Sequence, residues 1–207
     1  MTMQPFTRLE AIAAPLPRAN VDTDMIVRVE RLVALRRGAF GPYAFESLRY
    51  HADGTENDAF ILNQAGYRAA QILVAGPNFG CGSSRESAVW SLWDFGIRCI
   101  IAPSFGEIFE NNCIQNGLLP ITLPHEIVAD LAAAIAPGSN TPHLAVDLGA
   151  RTVTRAGAAP ISFAIDDRSR AALLNGWDAI ALTQRDEAEI AAFQARDRAS
   201  RPWIYRF

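Results

Sequence analysis

The 207-residue chain contains no lysine, so all nineteen of its basic side chains are arginines. It therefore cannot carry the Gly-Lys-Ser/Thr phosphate loop of many nucleotide-binding proteins. The formal net charge of −3 argues for neither a nucleic-acid nor a membrane-surface partner. No apolar stretch approaches the length of a membrane span, and the first residues lack the features of a secretory signal. We expect a cytoplasmic protein that binds no nucleic acid and no membrane.

Cysteine and histidine are scarce, with three of each. Cys81, Cys99 and Cys113 form no C-x-x-C pair and show no zinc spacing with the histidines. Such an odd, scattered set is typical of reduced thiols. Cys99 lies in an apolar run and is expected in the core. No histidine adjoins Cys81, which argues against a nucleophilic role for it. We predict no metal site on this chain.

Half of the residues are apolar and a fifth are charged, an ordinary composition for a globular protein. The sequence shows no repeat, no low-complexity segment and no linker. We expect residues 1–207 to form a single domain with a C-terminal helical extension.

The middle of the chain alternates between strand and helix patterns. Apolar runs predict strands over 71–75, 98–102 and 119–123, with helices over 85–94 and 106–115 between them. This order favours an α/β fold with a parallel βαβαβ core.

The remaining segments give weaker patterns. Aromatic residues at 40, 43 and 45 predict that the loop around them docks against something. Three aromatic residues in the tail 201–207 predict packing, on this chain or on a partner. The other expectations are a first strand over 6–13 ended by Pro15 and Pro17, a short strand over 26–29, a mobile loop over 36–57, a helix over 125–135, a hairpin over 144–155, a third antiparallel strand over 160–165, and helices near 167–174 and 184–197.

A glycine-rich loop, Gly80-Cys81-Gly82-Ser83-Ser84-Arg85-Glu86, joins the predicted strand 71–75 to the helix that follows. A strand-to-helix turn directs free backbone N–H groups toward an anion in front of the helix. Arg85 offers a bidentate fork, and Ser83 offers an oxygen that can do chemistry. The simpler alternative is a capping box, in which Ser83 caps the helix and Glu86 reaches back. Capping does not account for the Gly-x-Gly, the second serine or the arginine, so the pattern favours anion binding.

Four blocks, in order along the chain, resemble the small-subunit family of 3-isopropylmalate dehydratase, whose signature also occurs in the swivelling domain of aconitase. The blocks are Asn20-Val21-Asp22-Thr23-Asp24, Asn78 to Glu86, Ile101 to Phe109 with Asn116-Gly117-Leu118-Leu119-Pro120, and Asn175 to Thr183. The resemblance implies an aconitase-type swivelling domain, layered β/β/α with additional antiparallel strands. It also implies a subunit of a hydro-lyase that isomerises 2-isopropylmalate to 3-isopropylmalate through isopropylmaleate in leucine biosynthesis.

The resemblance also implies roles for single residues. Ser83 matches the serine whose alkoxide removes the carbon-bound proton, and Arg85 matches the arginine that clamps a substrate carboxylate. Arg37 aligns with a further substrate-binding arginine, although the adjacent Arg36 leaves that alignment open. The other matched positions are Ser84 and Gly82, which bind substrate, and the supporting residues Asp22, Thr23, Asp24 and Glu86; for Asp22 and Asp24 an Asx-turn role remains the alternative.

A hydroxyl is a poor leaving group, so the reaction needs a Lewis acid. The sequence has no cysteine constellation for an iron–sulfur cluster. The resemblance therefore implies a [4Fe–4S] cluster in a separate large subunit, a heterodimer, and a small subunit that is inactive alone and binds no metal. The expected substrate is a small dicarboxylate.

Three positions depart from the family pattern. Ser87 stands where relatives carry histidine, Arg28 where they carry proline, and Val29 where they carry a basic residue. These departures leave open a paralogue acting on a methyl- or dimethylmalate. A non-catalytic anion-binding module, with Ser83 only capping the helix, is the third possibility. For the apolar wall that an alkyl substituent needs, Val27, Val29 and Phe40 are candidates by position.

Overall fold

The computed structural model describes residues 3–139 and 142–205. Within these residues the strands are β1 (Arg8–Leu16), β2 (Ile72–Ala75), β3 (Cys99–Ala102), β4 (Leu119–Thr122), β5 (His143–Asp147), β6 (Thr152–Thr154) and β7 (Ile161–Ser162). They form one seven-stranded sheet in the order β4-β3-β2-β1-β5-β6-β7. The sheet is parallel from β1 to β4 and antiparallel from β1 through β5 and β6 to β7.

The α-helices of the same residues are α1 (Thr23–Ile26), α2 (Val29–Ala34), α3 (Glu46–Arg49), α4 (Glu86–Phe95), α5 (Glu107–Gln115), α6 (His125–Ala134), α7 (Asp167–Asn175), α8 (Ala179–Gln184) and α9 (Glu187–Ser200). Short 3₁₀ turns cover 41–43, 61–63 and 202–205. The order β2-α4-β3-α5-β4 is the predicted βαβαβ core, and β5, β6 and β7 are the predicted antiparallel strands. The α/β class with both sets of strands is thereby confirmed.

β1 joins the two sets of strands. Residues 8–12 pair with β5, whereas residues 13–16 pair with β2. The expectation that Pro15 ends this strand is wrong, because Pro15 lies inside β1 opposite Val74. Pairing with β5 extends no further than Ile12, so a residue without an N–H is tolerated beyond that point.

The sheet buries apolar side chains on both faces. Leu73 and Ile100 point into a core with α4 and the segment around Phe40, while Ile72, Val74 and Ile101 point into a second core with α6 and β5. Successive residues of a strand face opposite sides, so these strands read as continuous apolar runs. The carboxyl ends of β2 and β3 thus have helices on both sides, and the glycine-rich loop follows β2 directly.

The predicted short strand over 26–29 is wrong. Its β-branched residues favoured a strand, but the Asp22 side chain accepts a hydrogen bond from the Met25 N–H at 2.7 Å and begins α1. Val27 ends that helix, and Val29 begins α2. A capping aspartate therefore outweighs the local strand preference of the residues that follow it.

The segment over 36–57 is folded, in contrast to the expected mobile loop. Phe40 and Phe45 are buried in the core, which confirms that its aromatic residues dock. The buried Arg49 holds the segment together by donating from Nε to Asn63 Oδ1 at 3.0 Å and from its NH1 group to the carbonyl of Pro42 at 3.3 Å. Polar contacts of this kind cannot be read from composition.

The helix expected near 184–197 is confirmed as α9, and the short helix α8 before it was not predicted. In the tail, the Tyr205 hydroxyl donates to Asp197 Oδ2 at 2.7 Å, and Arg201 forms an ion pair with the same carboxylate. This part of the tail therefore packs on α9, although Trp203 is 65% exposed. Phe207, the third aromatic residue of the tail, lies outside the described residues. No helix in the described ranges is long and apolar enough to cross a membrane.

Candidate active site

The Asn20–Asp24 block lies directly beside the glycine-rich loop. The Thr23 N–H donates to the carbonyl of Cys81 at 3.0 Å, and the Thr23 hydroxyl donates to the carbonyl of Ser83 at 3.1 Å. Thr23 is buried, so the donor of this second bond is shielded from water, while its acceptor lies in the exposed loop. The fold thus brings together two blocks that are distant in sequence, and the shorter block supports the backbone at Ser83.

Glycine is required at two positions where the glycine-rich loop packs against the start of α5. Gly80 has φ +73°, and a Cβ there would lie 2.1 Å from Cγ of Phe109. A Cβ on Gly106 would lie 2.6 Å from the carbonyl oxygen of Gly80. The loop backbone therefore packs against α5 on one side, while the Gly80 N–H donates to the carbonyl of Val21 at 2.7 Å on the other.

Ser83 and Ser84 are exposed. Neither hydroxyl has a hydrogen-bond partner among residues 3–139 and 142–205. Gly82, with φ +92°, precedes them in the left-handed conformation that favours glycine. Both hydroxyls are available to a ligand at the protein surface.

The capping-box alternative is wrong. The N-cap of α4 is Arg85, whose side chain makes no capping hydrogen bond, and its N–H donates to the carbonyl of Ser83 at 2.8 Å. Glu86 accepts from the Asn116 side-chain amide at 2.8 Å rather than reaching back to a serine. The start of α4 therefore has no side-chain cap of its own, and an uncapped helix N-terminus of this kind favours an anion in front of it.

Arg85 is paired with Asp24. One guanidinium nitrogen, NH1, contacts Oδ1 of the Asp24 carboxylate. The side chain of Arg85 is 18% exposed and that of Asp24 is 56% exposed, so the pair lies at the edge of the loop. Rather than pairing with Arg85, Asp22 caps α1. This is the local Asx role that the sequence offered as an alternative to a role in supporting the site.

Arg37 lies against α4 near Trp90, in the body of the helix rather than at its N-terminus. Its guanidinium carbon is 5.9 Å from the ring centre of Trp90, and it lines a cavity of about 620 Å³ with Glu86 and Asn116. The Trp90 indole N–H donates to Asn116 Oδ1 at 3.0 Å. Asn116 is buried and joins Glu86 to Trp90, a role that the sequence did not reveal. The one sequence feature that pointed to Asn116 was its place in the third block of the family resemblance.

The candidates for an apolar wall around the substrate's alkyl group differ in burial. Val27 and Phe40 are buried in the core, so that expectation is wrong for both, whereas Val29 is 50% exposed at the start of α2. Arg28 is exposed and pairs with Glu30 at 3.4 Å. The departure at Arg28 is thus a surface ion pair in this structure.

The cysteines differ in their surroundings. Cys99 and Cys113 are fully buried, and burial raises the pKa of both thiols. The core position expected for Cys99 is confirmed, and Cys81 is half-buried in the loop. Across the described ranges, no three His, Cys, Asp or Glu side chains are grouped to hold a metal ion.

Two protein families match this chain. The aconitase C-terminal domain family matches residues 3–126, and the family of the C-terminal domain of the 3-isopropylmalate dehydratase small subunit matches residues 180–207. The first match contains the glycine-rich loop, and the second contains α9 and the tail. The first three blocks of the resemblance fall within the first match, and the fourth, Asn175 to Thr183, only partly within the second.

Relatives match along nearly the whole chain. The 3-isopropylmalate dehydratase small subunit of Dinoroseobacter shibae is 50% identical, covering 98% of this chain and 100% of the relative. That of Rhodospirillum centenum is 49% identical, with 97% and 98% covered. A solved structure of 3-isopropylmalate dehydratase from Methanocaldococcus jannaschii shares the fold, with a TM-score of 0.65 at 24% identity, covering 89% of this chain and 99% of that one. The chain therefore belongs to the family of 3-isopropylmalate dehydratase small subunits.

Proposed function

We propose that this chain is the small subunit of a 3-isopropylmalate dehydratase, the hydro-lyase of leucine biosynthesis that converts 2-isopropylmalate to 3-isopropylmalate through isopropylmaleate. The observation that carries the proposal is the start of α4, which has no side-chain cap. Ser83 and Ser84, whose hydroxyls are free and exposed, and Arg85, whose guanidinium is only singly paired, directly precede that helix start. A carboxylate is the ligand that this arrangement suits best.

Ser83 is the proposed catalytic base. Its alkoxide takes the proton from the carbon beside a substrate carboxylate and becomes a hydroxyl, while the hydroxyl on the neighbouring carbon leaves. Addition of water to isopropylmaleate in the opposite sense completes the isomerisation. A serine alkoxide is a strong base that needs stabilisation, and the N-terminus of α4 with the N–H groups of the Gly82 turn supports that charge.

The substrate carboxylates require cations and hydroxyl donors. Arg85 is proposed to clamp one carboxylate through its planar fork, with Ser84 donating a further hydrogen bond. Arg37, held over Trp90, is proposed to approach the same substrate from the Glu86 face of α4. Asp22, Thr23, Asp24 and Glu86 are proposed as supporting residues, and the bond from Thr23 to the Ser83 carbonyl supports that assignment for Thr23.

The proposed partner is the large subunit of the enzyme. A [4Fe–4S] cluster held by that subunit would supply the Lewis acid that activates the leaving hydroxyl. The described residues of this chain do not fit such a cluster, because no three of their His, Cys, Asp or Glu side chains are grouped to hold a metal. Ser83 and Ser84 are exposed here, and a proton transfer that excludes water needs them covered, which supports a heterodimer with the site between its two chains. Three unpaired cysteines support a cytoplasmic location.

The test is an anaerobic assay of this chain mixed with the large subunit from the same organism. The chain alone is expected to be inactive, and turnover is expected to rise to a plateau at an equimolar ratio. The substrates compared are isopropylmalate, dimethylmalate, citramalate and citrate. Turnover centred on dimethylmalate or citramalate would assign the chain to a paralogue with the same chemistry. No turnover by an assembled, cluster-loaded complex would overturn the proposal.

The variant Ser83→Ala tests the catalytic base. Removing a general base is expected to lower kcat by about a thousandfold while the heterodimer still assembles. Ser162→Ala, which alters an exposed serine on the edge strand β7, is the matched control and is expected to keep wild-type turnover. Full turnover by Ser83→Ala in the assembled enzyme would show that another group removes the proton.

A further inference from the structure

The contact between Arg85 and Asp24 uses only one end of the guanidinium. NH1 meets Oδ1 of Asp24, and within the described residues the Nε and NH2 groups of Arg85 have no partner. Nε and NH2 together form the side of a guanidinium that binds a carboxylate with two parallel hydrogen bonds. The edge suited to a carboxylate is therefore left open.

Arg31 provides an internal comparison. It meets Glu46 through both Nε and NH2, with Nε 2.9 Å from Oε2. In that pair the bidentate edge is fully used by a carboxylate of the same chain, which is the arrangement expected of a structural ion pair. Asp24 leaves the same edge of Arg85 unused, although its carboxylate is more exposed than that of Glu46.

Asp24 lies in α1, and α1 is fixed to the glycine-rich loop by hydrogen bonds. Asp24 follows Thr23, whose N–H and hydroxyl both bond to that loop, and it occupies the first turn of a helix capped by Asp22. Ile26, in the same short helix, is fully buried and anchors it to the core. The backbone of Asp24 is thus held at a defined position relative to the glycine-rich loop.

We propose that Asp24 is a positioning residue that holds NH1 of Arg85 and thereby presents the Nε and NH2 edge to a substrate carboxylate beside Ser83. This inference rests on the proposed function, in which Arg85 binds that carboxylate. An arginine side chain has several rotatable bonds, and fixing one end before substrate binds removes that ordering cost from the binding step. The role of Asp24 is therefore in substrate affinity rather than in proton transfer.

The test compares Asp24→Asn with wild type in the assembled enzyme. The amide keeps the size of the side chain but loses its charge. We expect KM to rise about tenfold, the effect of one charge-assisted hydrogen bond, with kcat changed less than about twofold. Asp24→Glu, which restores the carboxylate, is expected to recover part of the lost affinity. Glu56→Gln is the matched control, because it removes the carboxylate of the exposed pair with Arg68 and is expected to leave KM unchanged.

Two results would overturn the inference. A lower KM in Asp24→Asn would show that Asp24 competes with substrate for Arg85. An unchanged KM, with weaker assembly of the heterodimer, would show that Asp24 serves the interface with the large subunit instead.

The inference can be separated from the proposed function. KM is measured on whichever substituted malate the wild-type enzyme turns over, so a change of preferred substrate leaves the comparison intact. If the assembled wild type turns over none of them, calorimetric binding of 2-isopropylmalate to wild type and Asp24→Asn decides. Weaker binding by the variant supports positioning, and equal binding rejects it.

Discussion

Gly80 and Gly54 share a left-handed backbone but have opposite surroundings. Their φ angles are +73° and +84°. A Cβ at Gly80 would overlap the ring of Phe109, whereas a Cβ at Gly54 would have no atom within 4 Å. The two positions therefore separate the cost of backbone strain from the cost of overpacking.

Gly80→Ala is expected to lower the free energy of unfolding by about 3 kcal/mol, the sum of left-handed strain and forced displacement of a core ring. Gly54→Ala is expected to cost about 1 kcal/mol, from strain alone. Urea denaturation of both variants measures the difference. Equal losses would mean that Phe109 moves aside without cost, and that the loop is not fixed by its contact with α5.

At the site, the sequence indicated which residue types would gather but not how they would pair. The sequence predicts that both the Asn20–Asp24 block and the glycine-rich loop belong to the site, and the structure brings them into contact. The capping box was a local alternative that only the observed N-cap at Arg85 excluded. The pairing of Arg85 with Asp24 and the bridge made by Asn116 depend on tertiary packing, which no local pattern encodes.

At the scale of elements, the folded conformation of residues 36–63 depends on the buried guanidinium of Arg49. Arg49 is 8% exposed and bonds to Asn63 and to backbone carbonyls, with its guanidinium 4.9 Å from the ring centre of Phe95. These contacts tie a polar stretch to the core below α4. The segment that carries Arg37 is therefore ordered by a side chain twelve positions away from it.

Arg49→Met is expected to open this segment, because it leaves the buried Asn63 oxygen and two carbonyls without their donor. Thermolysin cleavage between residues 36 and 63 under native conditions should become about tenfold faster. The matched variant Arg68→Met, which removes only an exposed ion pair, is expected to keep the wild-type cleavage pattern. Equal resistance of all three proteins would show that the aromatic contacts alone hold the segment.

The strands and helices of the parallel core were predictable because they are buried on both faces or carry clear helix ends. Gly96, for example, ends α4 with φ +119°. The failures have specific physical causes: Pro15 is tolerated where β1 has lost its second partner, and Ile26 is helical because Asp22 caps the turn before it. The short helix α8 was missed because none of its side chains is fully buried, so its sequence carries no clear apolar periodicity.

At the scale of the whole molecule, one sheet passes through both sets of strands. β1 supplies the pairing for each set, and both faces of β2 contribute to buried cores. We propose that residues 1–207 act as one domain, with α8 and α9 as its C-terminal extension. A shared central strand supports this, because neither set of strands is complete without it.

Unfolding in urea is therefore expected to be a single transition, with tryptophan fluorescence and far-UV circular dichroism coinciding. Leu73→Ala and Val74→Ala alter opposite faces of β2, and each is expected to cost about 2–4 kcal/mol and to shift both signals together. Both side chains are fully buried, so the two variants are a matched pair. Separate transitions in either variant would show that the two cores fold independently.

The central position of β1 also has a consequence during synthesis. Residues 8–12 leave the ribosome early, yet their pairing partner, His143–Asp147, is made only after the whole parallel core. Until then the nascent sheet ends in an open edge strand with unpaired backbone groups, a state prone to joining other chains. We expect the growing polypeptide to be most vulnerable to aggregation in this interval, which closes when the β5–β6 hairpin docks.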